Sequence, residues 1–138
     1  MTRINIVEPK QLTNQHLMAE YRELPRVFSK VLKRQEKGQI PTDVKIPETY
    51  VLGRGHETFF FDKCQYLLYR YENIVAELMK REYNLSGDTI RSVRESVTEI
   101  DDIWYNNWTP TPDEIYLNMA RLANRSKNEL VKEELLNA

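Results

Sequence analysis

The sequence predicts an all-α protein, a compact single domain of three main helices with a long irregular segment between the first and the second. Apolar residues recur every three or four positions along three long stretches, which is the spacing of one buried helix face. Only four glycines occur in 138 residues, so few tight turns are expected. The composition, 41% apolar and 30% charged, is that of one globular domain covering residues 1–138.

The first helix is expected from about Asn14 to about Glu36, and Gly38 follows it as a stop signal. Its predicted core-facing residues are Leu17, Tyr21, Leu24, Phe28 and Val31. Pro25 lies inside this helix, where it cannot donate a hydrogen bond to the Tyr21 carbonyl and costs roughly 3 kcal/mol. We therefore expect a bend at Pro25 that serves a function.

The segment 37–60 is expected to be irregular, because prolines and glycines interrupt it. Gly53 and Gly55 stand on either side of Arg54. Paired glycines permit a close approach of the backbone to a ligand, although such a pair more often forms a plain turn. Both interpretations stay open for this loop.

The second helix is expected over residues 62–82, and a short helix follows over residues 89–97. The predicted core stripe of the second helix is Phe60, Cys64, Leu67, Tyr71, Ile74, Val75 and Leu78. An aromatic loop comes next and contains Trp104 and Trp108. These indoles either stack on nucleic-acid bases or pack over an edge of the core.

The third helix has a strong start signal. Thr111 is the expected cap, Pro112 the first helical residue and Glu114 the partner that completes a capping box. Its predicted inner stripe is Ile115, Met119 and Leu122. Ser126 and Glu129 form a second possible capping box, which predicts a separate short terminal helix.

Composition and charge exclude several classes of function. One cysteine and two histidines are too few and too scattered for a zinc site, so we expect no metal and no cofactor. Without an 18-residue apolar run or a signal-peptide pattern, we expect no membrane partner and a cytoplasmic protein. The net charge is −1, but the first 40 residues carry eight Lys or Arg against four Asp or Glu. This basic third is a candidate for contact with a polyanion.

Three stretches of the chain are more specific than any short motif. They are "MTRIN" at residues 1–5, "QHLMAEYRELPRVF" at residues 15–28 and "LGRGHETFFFDK" at residues 52–63. Through them the chain resembles the pyrimidine-dimer DNA glycosylase and AP lyase family, the endonuclease V type of T-even phages. The resemblance implies a compact all-α fold, which agrees with the apolar periodicity.

The resemblance also implies an activity. The enzyme would excise the 5′ base of a pyrimidine dimer through an imine with its N-terminal amine, and then cut the strand by β-elimination. The nucleophile would be the α-amine of Thr2, freed by removal of Met1, and Glu23 would be the catalytic carboxylate. An α-amine has a pKa near 7.7–8.0 against about 10.4 for lysine, so part of it is unprotonated at neutral pH.

Double-stranded damaged DNA is the implied partner, bound by a monomer. The positions expected to bind it are Arg3, Gln15, His16, Arg22, Arg26, Lys45, Gly53, Arg54, His56, Arg121 and Arg125. Arginine suits such positions because its planar fork can bind two phosphate oxygens. For His56, ordering of the glycine loop is the alternative role.

Two departures from the family pattern keep other functions open. The C-terminal "NELVKEELLNA" is acidic and has no aromatic residue, and position 57 is a glutamate beside a loop expected to approach DNA. One alternative is the same chemistry on another damaged base, a ring-opened purine, or at an abasic site. The other is a helical DNA-binding protein without catalysis.

Overall fold

The fold is described from a computed structural model, which covers the backbone of residues 2–137 and the side chains of residues 2–124. This part of the chain is all-helical and contains no strand, which confirms the predicted class. The α-helices are α1 (Asn14–Glu23), α2 (Pro25–Glu36), α3 (Cys64–Lys80), α4 (Gly87–Thr98) and α5 (Pro112–Asn137). Short 3-10 helices lie at Pro9–Gln11, Pro41–Asp43, Thr58–Phe60 and Asp102–Trp104.

The predicted first helix is two helices. Leu24 stands between α1 and α2 with helical dihedrals, φ −54° and ψ −43°, and its N–H still donates to the Glu20 carbonyl at 2.9 Å. Pro25 has no N–H, so the hydrogen-bond ladder is interrupted there, and Val27 N–H bonds instead to the Leu24 carbonyl at 3.1 Å. The described residues therefore form five α-helices: α1 and α2 are the two halves of the predicted first helix, and α3, α4 and α5 correspond to the predicted second, short and third helices.

One hydrophobic core lies among α1, α2, α3 and α4. The predicted stripes of the first and second helices face it, with Tyr21 partly buried at its edge. Trp104 is fully buried, and Trp108 makes edge-to-face contacts with Phe59 and Tyr66 at centroid distances of 5.0 Å. Both indoles therefore pack on the core, and stacking of Trp104 on a base is excluded by its burial.

Helix α5 differs from its prediction in two ways. Its capping box is confirmed, because Thr111 N–H donates to Glu114 at 2.9 Å and Glu114 N–H donates to Thr111 Oγ1 at 3.2 Å. Of its predicted inner stripe, Ile115 and Leu122 pack against the core as expected, but Met119 is 49% exposed, and the helix also buries the polar residues Glu114 and Asn118. The helix also runs unbroken to Asn137, so the separate terminal helix is not formed.

The N-terminal segment, residues 2–12, is largely buried although it belongs to no sheet. Thr2 and residues 4–7 are all buried. Buried backbone N–H and C=O groups must find partners, and here the neighbouring strands of a sheet are missing. Side chains from α1, α3 and α5 and from the loop before α3 supply those partners instead.

Candidate active site

A cavity of about 260 Å³ opens between the N-terminal segment, α1 and α5. Its lining residues are Arg3, Asn5, Gln15, His16, Ala19, Glu20, Glu23, Arg121 and Leu122. Five residues predicted from the sequence therefore meet at one place, namely Arg3, Gln15, His16, Glu23 and Arg121. Carboxylates and guanidinium groups line the same small space, which suits a reaction that moves charge.

Glu23 is the last residue of α1, just before the break at Pro25. Its side chain is 22% exposed, and its nearest ion-pair partner is Arg26 at an N···O distance of 3.8 Å. An exposed i,i+3 pair at this distance contributes little, so the carboxylate is only weakly paired. The C-terminal end of a helix also carries partial negative charge. The Glu23 carboxylate and the C-terminal end of α1 would both stabilise a cation formed in the cavity.

Thr2 lies next to the cavity rather than on its surface. It is 2% exposed, and its neighbour Arg3 is exposed and lines the cavity wall. The backbone around Thr2 is therefore fixed inside the protein.

His56 and Tyr50 bind the backbone at Ile4. Ile4 N–H donates to His56 Nε2 at 2.8 Å, and the Tyr50 hydroxyl donates to the Ile4 carbonyl at 3.1 Å. The other ring nitrogen of His56, Nδ1, lies 2.7 Å from the Val51 carbonyl and so must be its donor. Burial lowers the pKa of His56 and favours this neutral tautomer.

These hydrogen bonds do not allow the contact with DNA that the sequence predicted for His56. The ring is 1% exposed and both of its nitrogens have partners inside the protein. Its role is the alternative one: it orders the glycine loop and joins it to the N-terminal segment.

Glu20 and Arg70 form a buried ion pair beneath the cavity. Arg70 NH2 donates to Glu20 Oε1 at 3.1 Å, and its NH1 donates to the Val7 carbonyl at 2.6 Å. Glu20 also accepts from Asn5, from the side-chain Nδ2 at 2.9 Å and from the backbone N–H at 3.2 Å. Burial lowers the pKa of Arg70, but the attraction of the Glu20 carboxylate outweighs it and the pKa rises.

Asn118 of α5 reaches the same segment from the other side. Its Oδ1 accepts from Ile6 N–H at 2.7 Å and from Val7 N–H at 3.2 Å, and its Nδ2 donates to Asn5 Oδ1 at 2.9 Å. Arg121, one turn later, also donates to Asn5 Oδ1. We call Glu20, His56, Arg70 and Asn118 the N-terminal clamp.

Only His56 of the clamp was predicted as a site residue, and for another role. Two of the others still leave a signal in the sequence. Glu20 lies three residues from Leu17 and four from Leu24, and Arg70 lies three from Leu67, so each charge stands inside an apolar stripe. Two opposite charges inside two core stripes indicate a buried ion pair.

Arg22 and Arg26 are exposed and lie outside the cavity lining. They belong to the end of α1 and the start of α2, so they flank the same helix break as Glu23. Their side chains are accessible to a partner that covers the mouth of the cavity.

Lys45, Gly53 and Arg54 are also exposed and lie outside the cavity lining. Gly53 has φ +71° and Gly55 has φ +87°, backbone conformations that glycine adopts without strain. A Cβ atom on Gly55 would lie 3.0 Å from Pro47 Cγ. The glycines therefore meet the needs of the turn itself, which is the plainer of the two interpretations.

Glu57, the acidic departure in this loop, is paired. Lys30 Nζ of α2 lies 2.5 Å from Glu57 Oε1, and the Glu57 side chain is 16% exposed. The Lys30 ammonium of α2 therefore offsets the negative charge of Glu57. Arg125, the last predicted DNA-binding residue, lies outside the described side chains.

Two kinds of feature are absent from the part of the chain that the structure describes. No helix there has the length and apolar character needed to cross a membrane. In the same part of the chain, no three His, Cys, Asp or Glu side chains come together as a metal site.

A family model described as pyrimidine dimer DNA glycosylase matches residues 1–90. The matched stretch includes α1, α2 and α3, and it contains every predicted site residue except Arg121 and Arg125. It also contains Glu20, His56 and Arg70 of the N-terminal clamp, whereas Asn118 lies beyond it.

Proposed function

Since the chain belongs to the pyrimidine dimer DNA glycosylase family, we propose that it excises the 5′ base of a pyrimidine dimer and then acts as an AP lyase. Membership of the family supports a DNA repair glycosylase, and we propose the lyase step in addition. The observation that supports it is a cavity lined by Glu23, Arg3 and Arg121 beside an N-terminal segment whose backbone is hydrogen-bonded at residues 4–7.

The proposed nucleophile is the α-amine of Thr2 after removal of Met1. Its unprotonated form attacks the sugar C1′, the C1′–base bond breaks, and the base departs with the electron pair and a proton. The C1′–O4′ bond then opens, O4′ takes a proton, and a cationic imine joins the enzyme to C1′. That cation acidifies the C2′ proton, whose loss expels the 3′ phosphate. Water then hydrolyses the imine and restores the amine.

Glu23 would act at the cationic steps of this sequence. Its weakly paired carboxylate at the end of α1 can stabilise the sugar cation and the imine, and can move protons during ring opening and elimination. Neutralising the Glu23 carboxylate should abolish catalysis. It should not weaken DNA binding, because a carboxylate repels phosphate and contributes no attraction to DNA.

The exposed cations supply the DNA contacts in the proposal. Arg22 and Arg26 flank the cavity-facing Glu23, and Lys45 and Arg54 extend from the loop between α2 and α3. Chemistry at C1′ needs a kinked duplex and an extruded nucleotide, which costs a few kcal/mol and least where a lesion already weakens stacking.

The first test compares Glu23→Gln with the wild type on ultraviolet-irradiated plasmid and on DNA with an abasic site. We expect DNA affinity within about twofold of the wild type, and loss of incision on the order of 100-fold or more, the contribution of a positioned acid–base group. Glu36→Gln, an exposed change on α2, is the matched control and should cut normally. Normal incision by Glu23→Gln would contradict its assigned role.

Borohydride trapping and N-terminal mass spectrometry test the nucleophile. Protein that begins at Thr2 should form a covalent adduct with abasic DNA, and protein that retains Met1 should not. Efficient trapping by the form that retains Met1 would contradict the amine mechanism, and absence of any adduct would favour the non-catalytic DNA-binding alternative.

One observation favours the second substrate class. Trp104 is buried and cannot stack on a lesion, and Trp108 is partly buried and packs against Phe59 and Tyr66. A site that recognises a lesion by its weakened base stacking, without an aromatic side chain stacked on it, would also accept ring-opened purines or abasic sites. Parallel incision assays on these lesions and on dimers separate the two possibilities.

A further inference from the structure

Asn118 is the point at which the last helix is joined to the N-terminal segment. Its side chain is completely buried, and it uses both halves of its amide. The oxygen accepts from the consecutive N–H groups of Ile6 and Val7, at 2.7 and 3.2 Å. The nitrogen donates to Asn5 Oδ1 at 2.9 Å.

These bonds explain why an amide rather than an apolar side chain fits this position on α5. An unpaired polar group in the interior is costly, whereas a fully hydrogen-bonded one is tolerated. The N–H groups of Ile6 and Val7 have no strand beside them, so the Asn118 oxygen takes the place of a sheet partner. Replacing it with an apolar residue would leave two buried donors without an acceptor.

We propose that Asn118 is a positioning residue for the Thr2 amine, an inference that rests on the proposed function. The amine would stand at the start of the segment 2–7, and the hydrogen bonds at residues 4–7 hold the backbone that follows it. Asn118 makes two of those bonds and orients the Asn5 side chain that makes others. A misplacement of about 1 Å at a reacting atom can lower a rate on the order of 100-fold.

Arg121 connects this role to the cavity. It lies three residues after Asn118 on α5, lines the cavity and donates to the same Asn5 Oδ1. Asn5 thus accepts from two α5 side chains and donates to Glu20, which also lines the cavity. One hydrogen-bonded network therefore fixes both the cavity wall and the segment that presents the amine.

The test uses full-length protein with a processed Thr2 terminus and borohydride trapping on abasic DNA. Under single turnover with saturating DNA, the trapping rate constant of Asn118→Ala should fall on the order of 10- to 100-fold. The Kd for DNA should stay within about twofold, because the exposed cations are untouched. Asn118→Asp keeps an acceptor for Ile6 and Val7 but places an oxygen against Asn5 Oδ1, so its rate should fall less.

The matched control separates positioning from loss of stability. Val97→Ala removes a buried side chain of α4, a helix that contributes no residue to the N-terminal clamp. It should lower Tm, as Asn118→Ala does, and keep the wild-type rate constant. A purely structural role would lower the trapped fraction and leave the rate constant unchanged.

The trapping rate constants separate the positioning role of Asn118 from the proposed function. If Asn118→Ala and Asn118→Asp both trap at the wild-type rate constant, or if Val97→Ala slows trapping equally, the positioning role is wrong and the proposed function stands. If the wild type itself forms no adduct, the proposed function is wrong. Should Asn118→Ala fail to fold, Asn118→Asp alone decides between a lowered and an unchanged rate constant.

Discussion

At the scale of single residues, Glu20 shows what a buried charge does in this protein. Removing a carboxylate from water costs several kcal/mol, and this cost is offset only when every oxygen finds donors. Arg70 and Asn5 provide those donors, and Arg70 also binds the Val7 carbonyl. The pair therefore fixes the N-terminal segment between α1 and α3, and its loss would affect the position of Thr2 as well as stability.

His56 predicts a pH dependence of stability. Its neutral ring accepts from Ile4, and burial holds its pKa below the ordinary value near 6.5. Below about pH 6.5 the unfolded chain therefore binds a proton that the folded protein does not, and the free energy of unfolding falls. Urea unfolding at pH 7.5 and 5.5 should show this fall, at most about 1.4 kcal/mol for each pH unit below 6.5.

Two histidine variants assign the effect. His56→Gln should be less stable at pH 7.5 and lose less stability between pH 7.5 and 5.5 than the wild type. His16→Gln removes the other histidine and leaves His56 in place, so it should keep the wild-type dependence. A wild-type pH dependence in His56→Gln would show that other groups cause it.

At the scale of helices, apolar periodicity predicted the elements that face an apolar core. The stripes from Leu17 to Val31 and from Cys64 to Leu78 are buried as expected. At α5 periodicity correctly predicted Ile115 and Leu122, which pack against the core, but it was wrong for Met119, because the helix faces the N-terminal segment through Asn118. A helix position that pairs with backbone N–H groups is polar, so apolar periodicity in the sequence does not reveal that it is buried.

The ion pair between α2 and the glycine loop gives a prediction for DNA binding. Lys30 offsets Glu57, so Lys30→Ala should weaken binding by exposing DNA to an unpaired carboxylate. The double variant Lys30→Ala, Glu57→Gln should recover most of the affinity, because both charges are gone. The measurement is Kd by fluorescence anisotropy at fixed salt.

The two single variants complete this cycle. Glu57→Gln alone frees the Lys30 ammonium and should bind DNA more tightly than the wild type. If the double variant is as weak as Lys30→Ala, then Lys30 binds phosphate directly and its role in offsetting Glu57 is refuted.

At the scale of the whole molecule, charge is divided along the chain. The first 40 residues are basic, and residues 84–138 carry ten Asp or Glu against six Lys or Arg. Under the proposed function, we expect the basic first third to direct DNA toward the face where α1 meets α2. Because each phosphate contact releases counterions, Arg22→Ala and Arg26→Ala should each reduce the slope of log K against log salt by about 1.

Arg91→Ala is the control for that measurement. Arg91 is also exposed but lies on α4 beside Asp88, at 3.2 Å. Its loss should leave the salt dependence unchanged. Equal slopes for all three variants would mean that the α1–α2 face is not the DNA-binding face.

The candidate site was predictable in part. Resemblance in residues 15–28 supplied Glu23, Gln15 and His16, and the cavity brings them together with Arg3 and Arg121. The contacts of Asn118 were not predictable, because it meets Ile6 across 112 positions in sequence and no local pattern reports such a pairing. Long-range amide contacts depend on the fold as a whole.

The reach of α5 back to the first residues has a consequence for the order of events during translation. Residues 5–7 leave the ribosome long before Asn118 is synthesised, since 112 positions separate Ile6 from its partner. The nascent N-terminal segment therefore lacks its contacts with Asn118 until α5 has been synthesised. Under the proposed mechanism, an enzyme that removes Met1 would act during that interval on an N-terminal segment that does not yet have its Asn118 contacts.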